Sequence, residues 1–91
     1  MAVPGMENMD RAKIQAAVID VLADKLDVAK DQIVMEALLV ADLGMDSFGA
    51  IELMFELESQ WGLDIPDQDV RQFVKVVDIV DYLEKRLAEK K

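Results

Sequence analysis

The chain contains no cysteine and no histidine, and these two absences exclude most familiar chemistry. Without cysteine there is no disulfide, no thiolate metal site and no thiol nucleophile. Without histidine neither a Cys/His pair nor a Ser/His/Asp triad can be assembled. Positive charge is missing from a long central stretch: between Asp31 and Val70 there is no Lys or Arg, but there are ten acids. The net charge of −9 therefore belongs to the middle of the chain. Nucleic acid is excluded as a partner, because its phosphates need a basic stripe; basic protein surfaces are the natural complement. No apolar run reaches the ~18 residues of a membrane span, and no basic segment precedes an apolar one as in a secretory signal. A cytoplasmic protein is expected. No catalytic residue and no metal site is assigned. Asp64, Asp67 and Asp69 surround Pro66 and lack the glycine and terminal glutamate of a calcium loop, so they read as helix caps and solvated surface.

Ninety-one residues suit one small domain with a thin core. That domain is expected to span 8–91, behind a flexible segment 1–7, in which Met6 could equally be the initiator. A first helix is expected from Asn8 or Asp10, either of which could cap it, to about Leu26, with Ile14, Ala17, Val18, Val21 and Leu22 forming one stripe. The connection from Asp27 to Asp46 is too long to be structureless unless it packs or works, and Ile33, Leu38, Leu39 and Leu43 let it lie across the core. A second helix should run from Ser47 to Trp61, stopped by Gly62. Pro66 and Asp67 open a short third helix, Asp67–Phe73. The last should span Val77–Ala88, with Val76, Ile79, Val80, Leu83 and Leu87 inward and Lys85, Arg86, Lys90 and Lys91 gathered at its end. The fold class is all-α: a small four-helix bundle of three long helices and one short third helix, with a long loop between the first two.

The second helix carries more apolar surface than a bundle requires. At about 100° per residue, Ala50, Leu53, Met54, Leu57 and Trp61 make a core face. Phe48, Ile51 and Phe55 fall on another side, bordered by Glu52, Glu56 and Glu58. Either Phe48 and Ile51 tuck under the long loop, or the stripe forms an apolar patch rimmed by carboxylates, the composition of a transient docking surface. Ser47 opens this helix, where unpaired N–H groups and the dipole favour an anion. By spacing alone Ser47 also reads as a plain N-cap.

The segment Asp42-Leu43-Gly44-Met45-Asp46-Ser47, followed by Ile51-Glu52-Leu53, resembles the acyl carrier protein family, and the resemblance extends over about Ile14 to Leu87. It implies that Ser47 carries 4′-phosphopantetheine, delivered from coenzyme A by a phosphopantetheinyl transferase. By the same resemblance Asp42, Leu43, Gly44 and Asp46 form the attachment context, with Asp46 helping the transferase and Gly44 allowing the turn. Acyl intermediates would ride on the arm as thioesters. Acyl-transfer, synthase and other biosynthetic enzymes would dock through basic patches onto Phe48, Ile51, Glu52, Phe55, Glu56 and Glu58. Leu53, Met54 and Leu57 are assigned to an acyl-chain pocket, with the adaptable Met54 suited to a changing cargo. The chain is expected to be a monomer, and a carrier without catalysis of its own.

Phe48-Gly49-Ala50 departs from the fatty-acid pattern, in which Leu and often Asp follow the serine, and Gly49 costs a helix up to ~1 kcal/mol relative to Ala. Asp-Ser-Phe-Gly is similar to D-alanyl carrier proteins, and polyketide or peptide-synthetase carriers are further relatives. Asp81-Tyr82-Leu83 resembles the fatty-acid type, and an acyl carrier is preferred. An unmodified helical interaction module using the Phe48–Ile51–Phe55 face is the alternative of another class.

Overall fold

Period-3.6 apolar stripes close into a core only when each finds another stripe to cover it. In the computed structural model, which describes residues 11–89, helix α1 (Arg11–Leu26) buries Ile14, Val18, Val21 and Leu22. It packs against both α2 (Ser47–Trp61) and α4 (Val76–Glu89), whereas α2 and α4 approach one another much less closely. From α2 come Leu53 and Leu57; from α4 come Val76, Ile79, Val80, Leu83 and Leu87, all buried. The short α3 (Asp67–Val70) lies between α2 and α4 in the chain and buries none of its own residues. Its flanks do the anchoring, through buried Leu63, Ile65 and Phe73. This is the expected four-helix, all-α arrangement. The expected caps Asn8 and Asp10, the segment 1–7 and Lys90 and Lys91 lie outside the described residues.

The long connection packs, as its length demands. A single 3-10 turn interrupts it at Lys30–Gln32, and Ile33, Ala37, Leu39, Leu43 and Met45 enter the core. Backbone hydrogen bonds fasten it to the start of α4. Leu39 donates to the Val74 carbonyl at 2.9 Å, Val76 to Ala37 at 3.1 Å and Val77 to Met35 at 3.0 Å. Leu38 and Lys75 form an isolated antiparallel bridge, a pairing the sequence shows no alternation to announce.

Three helix boundaries differ from the sequence reading, one of them only in that α4 ends at Glu89, one residue past Ala88. Helix α3 ends at Val70 rather than Phe73, because Gln72 donates back to Asp69 and Phe73 to Val70, both at 3.1 Å, in tight turns. That tightening turns the Phe73 ring into the core. Helix α4 begins at Val76 rather than Val77, one residue earlier, because Asp78 Oδ2 accepts the Val74 and Lys75 N–H groups at 2.9 Å. This is the backward half of a capping box, with aspartate in the reciprocal position. The C-terminal stop of α2 is as expected: Gly62 takes φ 62°, ψ 36°, the left-handed conformation that glycine adopts without a Cβ clash.

The short α3 is tied to α4 by side chains. The Tyr82 hydroxyl donates to Asp69 Oδ2 at 2.6 Å and accepts from Arg86 Nη1. Arg86 Nη2 reaches the Asp64 carbonyl at 3.0 Å, its guanidinium lies 5.4 Å from the centroid of the Tyr82 ring, and Phe73 meets that ring edge-on at 5.2 Å. Burial, and then the hydrogen bond to Asp69, push the Tyr82 phenol above its ordinary value of 10.0. A raised folded-state pKa means that the neutral phenol contributes stability that is complete below the unfolded value and lost as pH rises through the folded one. Tyr82 is the single tyrosine, so tyrosinate absorbance reads it alone. Its midpoint should exceed 10, Asp69→Asn should lower it, and Tyr82→Phe should lack the corresponding alkaline loss of stability. A midpoint at the free-tyrosine value would show that the hydrogen bond is not made.

Candidate functional site

The loop before α2 is built to hold one turn still. Asp42 Oδ2 accepts the Leu38 N–H at 2.8 Å, while the Asp42 and Leu43 amides donate to the Leu38 carbonyl. Gly44 then takes φ 74°, a conformation L-residues rarely adopt, and donates to the Val40 carbonyl at 3.0 Å. Leu43 and Met45 are driven into the core on either side of it. Asp42, Leu43 and Gly44 therefore share one structural task, which is to deliver the next residues to the helix start in a fixed geometry.

At that start the cap is Asp46, not Ser47. Asp46 is extended, at φ −117° and ψ −173°; its Oδ1 accepts the Gly49 N–H at 2.8 Å and its carbonyl accepts the Ala50 N–H. Ser47 is the first helical residue and is exposed. Among the described residues its hydroxyl has no hydrogen-bond partner, and neither the Ser47 nor the Phe48 N–H has an acceptor. An exposed, uncommitted hydroxyl thus stands beside two free donors at the positive end of a fifteen-residue helix. That combination suits an anion beside Ser47 and leaves space around it.

Gly49 explains itself only in three dimensions. It is buried, and a Cβ there would sit 3.2 Å from Leu26 Cδ2, 3.3 Å from Asp46 Oδ1 and 3.5 Å from Met45 Cγ. The missing side chain lets the end of α1 press against the first turn of α2.

Along α2 the second stripe is in the open. Phe48 is 67% exposed, Ile51 48% and Phe55 61%, so none is tucked under the loop. Its three acids are not equivalent. Glu52 has no ion pair or side-chain hydrogen bond among the described residues. Glu56 lies 3.7 Å from Lys25 Nζ of α1, a surface pair worth about 0–1 kcal/mol. Glu58 Oε2 accepts the Ile65 N–H at 2.8 Å, so this carboxylate fastens the segment leading into α3.

Of the residues assigned to an acyl pocket, Leu53 and Leu57 are fully packed in the core and Met54 is half-buried. A chain reaching Leu53 or Leu57 has to displace neighbours. Sequence reasoning missed an open apolar groove of about 260 Å³ lined by Leu38, Val40, Ala41, Phe73 and Val74. Its signal, Val40 and Val74 flanking buried neighbours, is indistinguishable from core in the linear chain.

Residues 16–83 match the family model described as a phosphopantetheine attachment site. The chain is 42% identical over 79 residues to an acyl carrier protein of Amoebophilus asiaticus, covering 87% of this chain and 99% of that one. It is 42% identical over 80 residues to an acyl carrier protein of Syntrophobacter fumaroxidans, covering 88% and 99%. With an acyl carrier protein of Chlorobium phaeobacteroides the identity is 38% over 78 residues, covering 86% and 100%.

Gly49→Ala should test the close approach of α1. Helix propensity alone promises about 1 kcal/mol of stabilisation, opposed by contacts with Leu26 and Asp46. Chemical denaturation should place the variant's midpoint at or below that of the wild type. The full gain would show that Leu26 gives way freely and that the contact carries no constraint.

Proposed function

The chain belongs to the acyl carrier protein family, and on that premise we propose that Ser47 is the residue to which 4′-phosphopantetheine is covalently attached. The observation that carries this assignment is the uncommitted Ser47 hydroxyl beside the free Ser47 and Phe48 N–H groups, with capping already done by Asp46. When attached, the group supplies a terminal thiol that holds acyl cargo as a thioester, chemistry for which this cysteine-free chain has no side chain of its own.

The protein's own part is presentation. The Asp42–Asp46 loop fixes where Ser47 stands, and the free N–H groups at the helix start favour the negative charge of a phosphodiester joined to its hydroxyl. A tether raises the effective concentration of cargo at each docked enzyme. Catalysis then belongs to the partners: the transferase that modifies Ser47 with coenzyme A, and the synthases and acyl-transfer enzymes that use the loaded carrier. The relatives' name favours an acyl over an aminoacyl cargo. No helix among the described residues is long and apolar enough to cross a membrane. We assign the carrier domain to residues 8–91, working as a cytoplasmic monomer.

Treatment with a phosphopantetheinyl transferase and coenzyme A should add one phosphopantetheine mass to the protein and none to Ser47→Ala. Modification persisting in that variant would remove the assignment; an unmodified wild type would favour the plain interaction module instead.

Partners are proposed to seat apolar residues on Phe48, Ile51 and Phe55, with a basic patch over Glu52 and, once Lys25 is displaced, Glu56. Glu58 contributes to this face while held by Ile65. Apolar contacts govern the lifetime of such a complex and exposed charge governs its encounter rate. In stopped-flow binding to a partner, Glu52→Lys should slow association at low salt, with the difference shrinking as the Debye length falls from about 10 Å at 0.1 M to about 3 Å at 1 M. Ile51→Ala should speed dissociation. Wild-type behaviour in both folded variants would mean that partners dock elsewhere.

A further inference from the structure

Helix α2 has no Lys or Arg of its own, so any base that meets its acids comes from another element. Glu52 and Glu56 stand four residues apart, neighbours on one helix face, where like charges repel. In the free carrier Lys25 of α1 relieves that repulsion: its Nζ lies 3.7 Å from Glu56 Oε1 and 3.9 Å from Asp24 Oδ2. The contact is loose beside two other ion-paired bases. Arg11 meets both Asp81 and Glu84 of α4 at 2.8 Å, and Lys30 meets Asp20 at 2.7 Å. Yet Lys25 is the most covered of these three bases, with 27% of its side chain exposed against 36% for Arg11 and 66% for Lys30. Packing, more than charge, sets its position. Leu26, the next residue, is pressed onto the first turn of α2, where a Cβ on Gly49 would sit 3.2 Å from its Cδ2. That close approach carries the Lys25 ammonium to Glu56, the acid that follows exposed Phe55.

We propose that Lys25 is an intramolecular competitor for the docking face: it occupies Glu56 in the free carrier, and a basic group of the phosphopantetheinyl transferase replaces it there. Lys25 is a specificity-determining residue, with no part in the chemistry at Ser47. The inference rests on the reading of α2 as the docking face for the enzyme that modifies Ser47. A pair as short as those of Arg11 would resist replacement, whereas one at 3.7 Å yields easily. The displaced ammonium is not stranded, because Asp24 already lies 3.9 Å away and its side chain is 79% exposed. The cation turns from one carboxylate to the other and keeps a partner in a partly covered site. Such a competitor sorts partners by the reach of their basic patch. A patch that stops at Glu52 meets no rival, since Glu52 has no ion pair or side-chain hydrogen bond among the described residues. A patch that reaches Glu56 displaces Lys25, and by linkage whatever that contact contributes to the free carrier is subtracted from docking.

Lys25→Met keeps a stem to cover and removes the charge. Loading of Ser47 from coenzyme A by the transferase should then gain up to about fivefold in kcat/KM at low salt, through KM and with kcat unchanged. Chemical denaturation should place this variant at or slightly below wild-type stability, so the gain does not come from a better-folded carrier. Glu56→Gln should lower kcat/KM, and in that background Lys25→Met should lose most of its gain, because nothing is left to compete for. Lys30→Met, which removes a charge paired with Asp20 instead, should load much as wild type does. Equal gains with and without Glu56, or an equal gain from Lys30→Met, would mean that Lys25 acts only through the overall field of the protein, and would overturn the competitor. Wild-type loading of Lys25→Met would overturn it as well. Glu52→Lys separates that failure from failure of the docking face: slowed loading keeps the face and dismisses Lys25 alone, whereas wild-type loading of both variants removes the face. A wild-type carrier that the transferase does not load would remove the Ser47 reading, and the competitor with it.

Discussion

The placement of Ser47 depends on backbone hydrogen bonds far from it in the chain, those joining the long connection to the start of α4. The bonds from Leu39 to Val74, Val76 to Ala37 and Val77 to Met35 hold the middle of the loop against a helix whose inner face is entirely buried. With that segment fixed, Leu39, Leu43 and Met45 have only the core to enter, and the turn at Gly44 delivers Asp46 to cap α2. Pairing also meets the loop's own polar requirement, since backbone groups left unpaired beside the core would cost several kcal/mol each. A connection of this length is thereby converted into a rigid support for one exposed hydroxyl.

Helix α2 serves two environments, and its neighbours share its carboxylates between them. Its inner stripe is closed by α1. Its outer stripe of Phe48, Ile51 and Phe55 has no cover within the described chain. Towards α1, Glu56 lies near Lys25; towards α3, Glu58 is committed to Ile65; between the two sides, Glu52 remains uncommitted. On the proposed docking face, recognition and stability therefore overlap on one helix. A substitution at Glu58 acts on the α3 segment as well as on any partner, whereas one at Glu52 acts on the surface alone.

Local anchoring differs between two parts of the described chain. The Ser47 turn is clamped by the loop, by the Asp46 cap and by the approach of Leu26 that Gly49 permits. The α3 segment is held by a few side-chain bonds and by apolar flanks. Such differences in local anchoring are what allow one region to open while the rest of a domain stays folded.

The sequence by itself determined the four helices, the inward stripes of α1 and α4, the Gly62 stop and the existence of a second apolar stripe at Phe48, Ile51 and Phe55, because each is written in residues at most a few turns apart; that this stripe lies in the open was decided by the fold. It also made Ser47 stand out, through a local motif. Ser47 and Asp46 were both acceptable caps on spacing, and only the fold assigned that task to Asp46 and left the serine free. The fold alone also gave Gly49 its reason, bound Glu58 to Ile65, turned Phe73 inward one turn past α3, and set Tyr82 between Asp69 and Arg86. Each of these depends on which groups from separate elements arrive at the same place. Periodicity reports which face of a helix is apolar, but carries no record of what will meet that face or which distant N–H a carboxylate will find.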